Sequence, residues 1–178
     1  QKIPSGHNSE DYIVERVDCK SHDGRMVPLT ITRHKSTKLD GSANLLLYGY
    51  GSYGSSMSPS FSTTRLSLIN RNIIWVTTHI RGGMERGMKW WKEGKLLNKK
   101  NTFEDYIASA KYLIKNKYTS KNKIIGMGGS AGGLLMGAVV NQAPELFLGI
   151  IMAVPFVDSL TTNLDHSLPL TVGEFDEF

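Results

Sequence analysis

Apolar positions along the chain fall into short blocks with two different periods. Residues 12–19 and 26–32 alternate or cluster β-branched side chains on either side of Asp23-Gly24, a pair suited to the positive φ of a tight turn, and so predict a β-hairpin. Leu45-Leu46-Leu47-Tyr48 and Ile73-Ile74-Trp75-Val76 are continuous apolar runs bounded by polar residues, the pattern of strands covered on both faces. Between them, Phe61, Leu66, Leu68 and Ile69 predict a short helix with imperfect spacing. In residues 101–116, Phe103, Tyr106, Ile107, Ala110, Leu113 and Ile114 recur every three or four positions and form one apolar stripe, the clearest helix of the chain. Asn101 with Glu104 resembles a capping box. Glu104 and Asp105 oppose the positive end of the helix dipole, and Lys115 and Lys117 suit its negative end. A buried strand at 124–127, a small-residue helix at 131–141 and a strand at 148–154 follow. Strands alternating with helices mean an α/β fold with a mostly parallel sheet, here preceded by an antiparallel hairpin. No repeat or linker divides the chain, so a single domain is expected over residues 1–178, with 1–35 as its N-terminal arm and hairpin.

Composition narrows the function classes. Hydrophobic residues at 40% and charged residues at 21% supply a core and exclude intrinsic disorder. Twenty-one basic against sixteen acidic residues give +5, but apart from residues 89–100 the basic residues scatter and no nucleic-acid motif accompanies them, so no nucleic-acid partner is expected. Cys19 stands alone, which excludes an internal disulfide and a cysteine-based zinc site and fits a reducing, cytoplasmic home. The first ten residues are polar, unlike a secretory signal, and the chain lacks a starting Met, so it is read as beginning mid-protein. The longest apolar stretch, 147–157, contains Pro155 and falls short of the roughly twenty residues a bilayer demands; no membrane partner is expected.

The chemistry concentrates at Gly128-Gly129-Ser130-Ala131-Gly132, a G-x-S-x-G pentapeptide with a predicted strand before it and a predicted helix after it. Glycines two positions either side of the serine let strand and helix approach closely, and the sharp turn holds Ser130 at a helix N-terminus, where developing negative charge is favoured. Such a serine needs a base, an acid to orient it and donors for an oxyanion. The Ala131 N–H, next to the nucleophile, is one donor by the geometry of the elbow. Tyr50, in Tyr48-Gly49-Tyr50-Gly51 after a core strand, is either a second donor or a packed aromatic. No metal or organic cofactor is implied: no His/Asp/Glu ligand set clusters, and the glycine-rich turn lacks the G-x-G-x-x-G spacing of a dinucleotide site.

These residues resemble the prolyl oligopeptidases, and among them the oligopeptidase B branch. The resemblance rests on Leu47-Tyr48-Gly49-Tyr50-Gly51, Ile80-Arg81-Gly82-Gly83 followed by Trp90 and Gly94-Lys95-Leu96-Leu97, Lys100-Asn101-Thr102-Phe103, and the serine motif continued through Gly133-Leu134-Leu135. It extends through Val154-Pro155-Phe156-Val157-Asp158 and Pro169-Leu170-Thr171-Val172-Gly173-Glu174-Phe175-Asp176-Glu177, so nearly the whole chain is covered. It implies an α/β-hydrolase fold and a cytoplasmic serine oligopeptidase that cuts short basic peptides after Arg or Lys, with Ser130 as nucleophile and Tyr50 as oxyanion donor. In that branch acidic residues at the positions of Glu174 and Asp176 receive the basic P1 side chain; the second is usually Glu, and the shorter Asp176 is expected to loosen the grip. Without the resemblance, residues 174–177 read as a solvated acidic tail.

The chain also departs from the family pattern. No blade repeats of a β-propeller are present. In the fold's Ser, acid, His order both triad partners fall beyond Phe178, so the domain reads as truncated before its last strands and helices. Asp158 and His166 follow Ser130 in the required order, but His166 sits between Asp165 and Ser167 without a strand of its own and reads as a surface residue. His79 reads as structural, and His7, His22 and His34 as exposed and functionless. Without its base Ser130 keeps oxyanion donors but loses most activation, so the isolated chain is expected to be nearly inert unless a second chain or missing C-terminal segment supplies Asp and His. A sheet ending at the 148–154 strand leaves an apolar edge, from which marginal solubility or association is expected. Two alternatives stay open: a non-catalytic remnant that holds basic peptides, and an esterase-like hydrolase of the same fold.

Overall fold

The protein is described by a computed structural model over residues 7–169 and 173–178. The polar leader at 1–6 and the Leu170-Thr171-Val172 part of the C-terminal motif lie outside the described residues. Strands β1 (Tyr12–Lys20) and β2 (Met26–His34) pair antiparallel from Tyr12↔His34 to Lys20↔Met26, as the alternation predicts. Their turn closes through Ser21 N–H to Arg25 C=O at 2.8 Å, with Gly24 at φ 86. Four shorter strands follow: β3 (Leu45–Tyr48), β4 (Ile74–Thr78), β5 (Ile124–Gly129) and β6 (Phe147–Ala153). Together they form one six-stranded sheet in the order β1-β2-β4-β3-β5-β6, antiparallel up to β4 and parallel from β4 to β6. Ile73 is left out of β4 because Asn72 turns at φ 59 and the Ile73 N–H is spent on Leu68 C=O, closing the preceding helix. Among the described residues β6 pairs only with β5, and Leu148, Ile151 and Met152 are exposed there, the apolar edge that the sequence leads one to expect.

The helices are α1 (Thr63–Ile69), α2 (Met88–Lys92), α3 (Lys100–Lys115), α4 (Ala131–Gln142) and α5 (Ser159–Leu164). Helix α1 anchors by Ile69, whereas Phe61, counted in its stripe, lies before the helix and is exposed. Helix α3 buries Tyr106, Ile107, Ala110 and Leu113, and the Tyr106 hydroxyl donates to Leu47 C=O at 2.6 Å, tying the helix to the central strand. Alternation along β1 separates the two faces of the sheet: Cys19 meets Ser109 of α3, while Tyr12 and Val14 line a cavity with Arg65, Leu66 and Ile69 of α1. The expected capping box at Asn101 is not formed. The helix starts one residue earlier, after a 3-10 turn at Leu96–Asn98, and the Asn101 amide donates to Glu93 C=O instead.

Asp105 also departs from its reading as a dipole acid. It is fully buried and accepts from Arg81 backbone N–H (3.1 Å), Nε (2.8 Å) and Nη2 (2.6 Å), and from Ser21 Oγ (2.5 Å). Arg81, only 1% exposed, also reaches Asp23 in the hairpin turn at 2.6 Å. One guanidinium therefore fastens hairpin, α3 and the loop after β4 together. Burial by itself lowers the Arg81 pKa, but the hydrogen bonds it donates to Asp105 and Asp23 outweigh it and hold the group charged.

Candidate active site

The parallel strands deliver their C-terminal ends to one edge of the sheet, where loops after β3, β5 and β6 meet. Ser130, exposed, sits between β5 and α4 at φ 55, ψ −119, a conformation that non-glycine residues rarely adopt. Its backbone is clamped on both sides: its N–H donates to Ala153 C=O at 2.9 Å, and its C=O accepts from Gly133 N–H at 2.8 Å and Phe156 N–H at 3.0 Å. The flanking glycines are needed for contact. A Cβ on Gly128 would lie 2.2 Å from Gly132 O, and one on Gly133 would lie 2.5 Å from Pro155 Cα. Ala131, buried, opens α4, so its N–H belongs to the first turn, whose donors have no acceptor within the helix.

Tyr50 follows β3 and is half-buried. Burial raises its phenol pKa, an effect that the nearby Ser130 side chain partly offsets. A Cβ on Gly132 would lie 2.9 Å from Gly49 O and 3.4 Å from Tyr50 Cδ2, so the loop after β3 and the start of α4 are in direct contact.

The C-terminal segment packs against the same loop. Glu174 begins a 3-10 turn (Glu174–Asp176), and its Oε2 accepts from the Tyr53 hydroxyl at 2.6 Å. Burial and this carboxylate push the Tyr53 phenol pKa up. Asp176 is exposed. Glu177, which read as part of a solvated tail, is 3% exposed: Oε1 accepts from Tyr53 N–H at 2.8 Å and Oε2 from Trp91 Nε1 at 2.9 Å. Side chains three apart on a 3-10 turn point the same way, which brings Glu174 and Glu177 both to Tyr53 and turns Asp176 outward. Lys99 Nζ lies 3.7 Å from Glu177 Oε1 and donates to Gly51 C=O at 2.8 Å and Ser52 Oγ at 2.6 Å. Sequence reading missed Tyr53, Lys99 and Glu177; their partners are distant along the chain, and only Glu177 lay within one of the motifs.

The histidines stand apart from the elbow. His79 is buried, sharing a hydrogen bond with Thr30 Oγ1 at 2.8 Å and lying 3.5 Å from Glu85. His22 and His34 hydrogen-bond to Ser21 and Ser36, and His7 stacks on Tyr12 at 5.1 Å, so His7 and His34 are half-buried rather than exposed. His166 is exposed after α5. Asp158 caps α5, accepting from Thr161 N–H at 3.2 Å and from the Thr161 hydroxyl. Among the described residues no hydrogen bond joins Ser130 to a histidine. Among them too, no helix is long and apolar enough to cross a membrane.

The family model of the prolyl oligopeptidases matches residues 59–178, two thirds of the chain and all of the elbow. The chain belongs to the prolyl oligopeptidase family. It is 49% identical over 179 residues to dipeptidyl aminopeptidase BI of Pseudoxanthomonas mexicana, with 100% of this chain and 25% of that protein covered. Protease 2 of Moraxella lacunata is 51% identical over 176 residues, covering 99% of this chain and 26% of the relative. Among solved structures, oligopeptidase B from Leishmania major superposes with TM-score 0.94 at 45% identity, covering 97% of this chain and 24% of that one. Oligopeptidase B from Trypanosoma brucei with covalently bound antipain gives TM-score 0.95 at 41% identity, covering 100% and 25%. The fold is that of an α/β-hydrolase and the family is one of serine peptidases. The chain spans about a quarter of the length of these relatives.

Proposed function

We propose that this chain carries the nucleophile and oxyanion donors of a serine oligopeptidase that cleaves short peptides after Arg or Lys, and that residues 1–178 are part of its catalytic domain. The observation that carries this reading is Ser130 at φ 55 on a clamped elbow, exposed, with the Tyr50 loop packed against the first turn of the helix it opens. Ser130 Oγ attacks the scissile carbonyl carbon, and the oxyanion that forms accepts from Ala131 N–H and Tyr50 OH, both held in place before the charge develops. A base takes the Ser130 proton and returns it to the leaving amine; water then releases the acyl group by the reverse route. The position of Glu174, on the C-terminal 3-10 turn against the Tyr53 loop, supports a carboxylate for a basic P1 side chain, with Asp176 as the outer partner.

The placement of the described histidines supports a base and acid supplied from elsewhere, by a further segment or a second chain, and hence near-inertness of this chain alone. The same observation favours, as a second reading, a module that holds basic peptides without cutting them. A lone, buried Cys19 with its thiol pKa pushed up to about 11 by burial suits a reducing compartment such as the cytoplasm. Fluorophosphonate labelling against a Ser130→Ala control, followed by hydrolysis of an arginyl amide and an arginyl ester, tests the proposal. Labelling that survives Ser130→Ala refutes the nucleophile. Rapid amide turnover by the chain alone refutes the missing base. Ester turnover indifferent to a basic P1 group transfers the assignment to an esterase.

A further inference from the structure

We propose that Lys99 and Glu177 form a buried clamp that positions the Tyr50 phenol at Ser130 by locking residues 51–53 to the C-terminal 3-10 turn. The inference rests on the reading of Tyr50 as an oxyanion donor. Tyr50 sits against the first turn of α4, where a Cβ on Gly132 would lie 3.4 Å from its Cδ2, and the next three residues of its loop include two that turn through positive φ, Gly51 at 73 and Tyr53 at 58. Such a loop keeps its phenol in place only if its backbone is held from outside. Three of the holds lie on one ion pair. Lys99 Nζ binds Gly51 C=O and Ser52 Oγ, Glu177 Oε1 binds Tyr53 N–H, and the two charged groups face each other at 3.7 Å.

The pair is enclosed. The Lys99 and Glu177 side chains are 11% and 3% exposed, the ammonium lies 4.9 Å from the Phe178 ring centroid, and Trp91 Nε1 occupies the second carboxylate oxygen. Two charges with so little access to water are expensive to bury and are justified when each satisfies several fixed polar groups, as these do. Tyr53 extends the device, since its hydroxyl holds Glu174 while its N–H is held by Glu177. The Tyr50 loop and the acidic turn are thus a single body, and Glu174, the carboxylate proposed above for a basic P1 side chain, is mechanically joined to Tyr50.

The test is NMR of the protein carrying 13Cζ-tyrosine and 15N-tryptophan, with variants Glu177→Gln, Lys99→Met, Lys99→Arg and Ser52→Ala. A Ser130→Ala sample marks where the Tyr50 signal goes when its hydroxyl contact is lost. Glu177→Gln and Lys99→Met are expected to move the Trp91 indole signal and to carry the Tyr50 signal toward its Ser130→Ala position, with Lys99→Arg restoring most of it. Ser52→Ala, which deletes one bond of the clamp and keeps both charges, gives a smaller move of the same sign and decides the matter if the charge variants do not fold. A Tyr50 signal unchanged in all the folded variants overturns the proposal, as does a signal that moves in Lys99→Met and is not restored by arginine. Failure of the underlying reading looks different: Ser130→Ala then leaves the Tyr50 resonance where it stands in the parent while the clamp variants still move it.

Discussion

Replacing Asp105 by Ala is expected to be the most damaging single change on the sheet's buried face, and the size of the effect follows from the groups it strands. Arg81 would keep its charge, because a guanidinium does not lose its proton at any working pH. It would lose three of its hydrogen bonds, those from N–H, Nε and Nη2, while remaining 1% exposed. Ser21 would lose its acceptor as well. Breaking a buried pair by removing one partner costs about 3–5 kcal/mol. Against a total stability of about 5–15 kcal/mol, this is a large fraction, and for a chain of this size it lowers Tm by roughly 6–20 °C. Asp23→Ala removes the other carboxylate, whose side chain is 34% exposed, so water replaces it and the loss stays below about 2 kcal/mol. Urea unfolding with linear extrapolation measures both, at unchanged m. The double variant Arg81→Met with Asp105→Leu removes the charge along with its partner and should lose less than Asp105→Ala alone. A cost under about 1 kcal/mol for Asp105→Ala, or an Asp23→Ala cost that exceeds it, would refute the reasoning.

Three further outcomes are expected. Gly128→Ala puts a Cβ 2.2 Å from the Gly132 carbonyl oxygen, where only backbone can yield, so stability drops by about 1–3 kcal/mol in urea unfolding; a variant as stable as the parent shows that the elbow tolerates a wider gap. Burial depresses the Lys99 pKa from 10.5 to about 8 despite Glu177, so above about pH 8 the unfolded chain binds more protons and stability rises with pH. Cys19 acts in the opposite sense, its thiol raised from 9.0 to about 11, so stability it contributes is lost above about pH 9; the rise due to Lys99 is therefore read between pH 7.5 and 9, and Lys99→Met flattens it. A urea midpoint that falls over that interval contradicts the assignment. Tyr106→Phe leaves the Leu47 carbonyl without its 2.6 Å donor and should cost about 1–3 kcal/mol in the same assay, whereas no change would mean that this bond contributes nothing net.

Periodicity and turn chemistry alone were enough for the hairpin, for β3, for the stripe of α3 and for the strand–Gly-x-Ser-x-Gly–helix elbow. Each of these depends on residues that are neighbours in the chain, where side-chain period and φ preference act directly. The start of α3 was legible only approximately, because a 3-10 turn and the Asn101 bond to Glu93 displaced the capping box that local composition suggested. At the site, the elbow turn at Ser130 was legible from local geometry, while two readings stood for Tyr50, whose loop the fold brings against the start of α4. The acidic run at 174–177 read the same at each position. Folding sorted it, because a 3-10 turn points Glu174 and Glu177 at Tyr53 and leaves Asp176 in water.

What the sequence by itself determined about this protein is thus its layered α/β order and the strained serine at a strand-to-helix turn, since both are written within windows of a few residues. The tertiary structure alone decided which charges are buried. Asp105 and Arg81 are 24 positions apart, and Glu177 stands 124 from Tyr53. A carboxylate's choice between solvent and a buried partner depends on what the sheet and loops bring to it, and no local pattern encodes that.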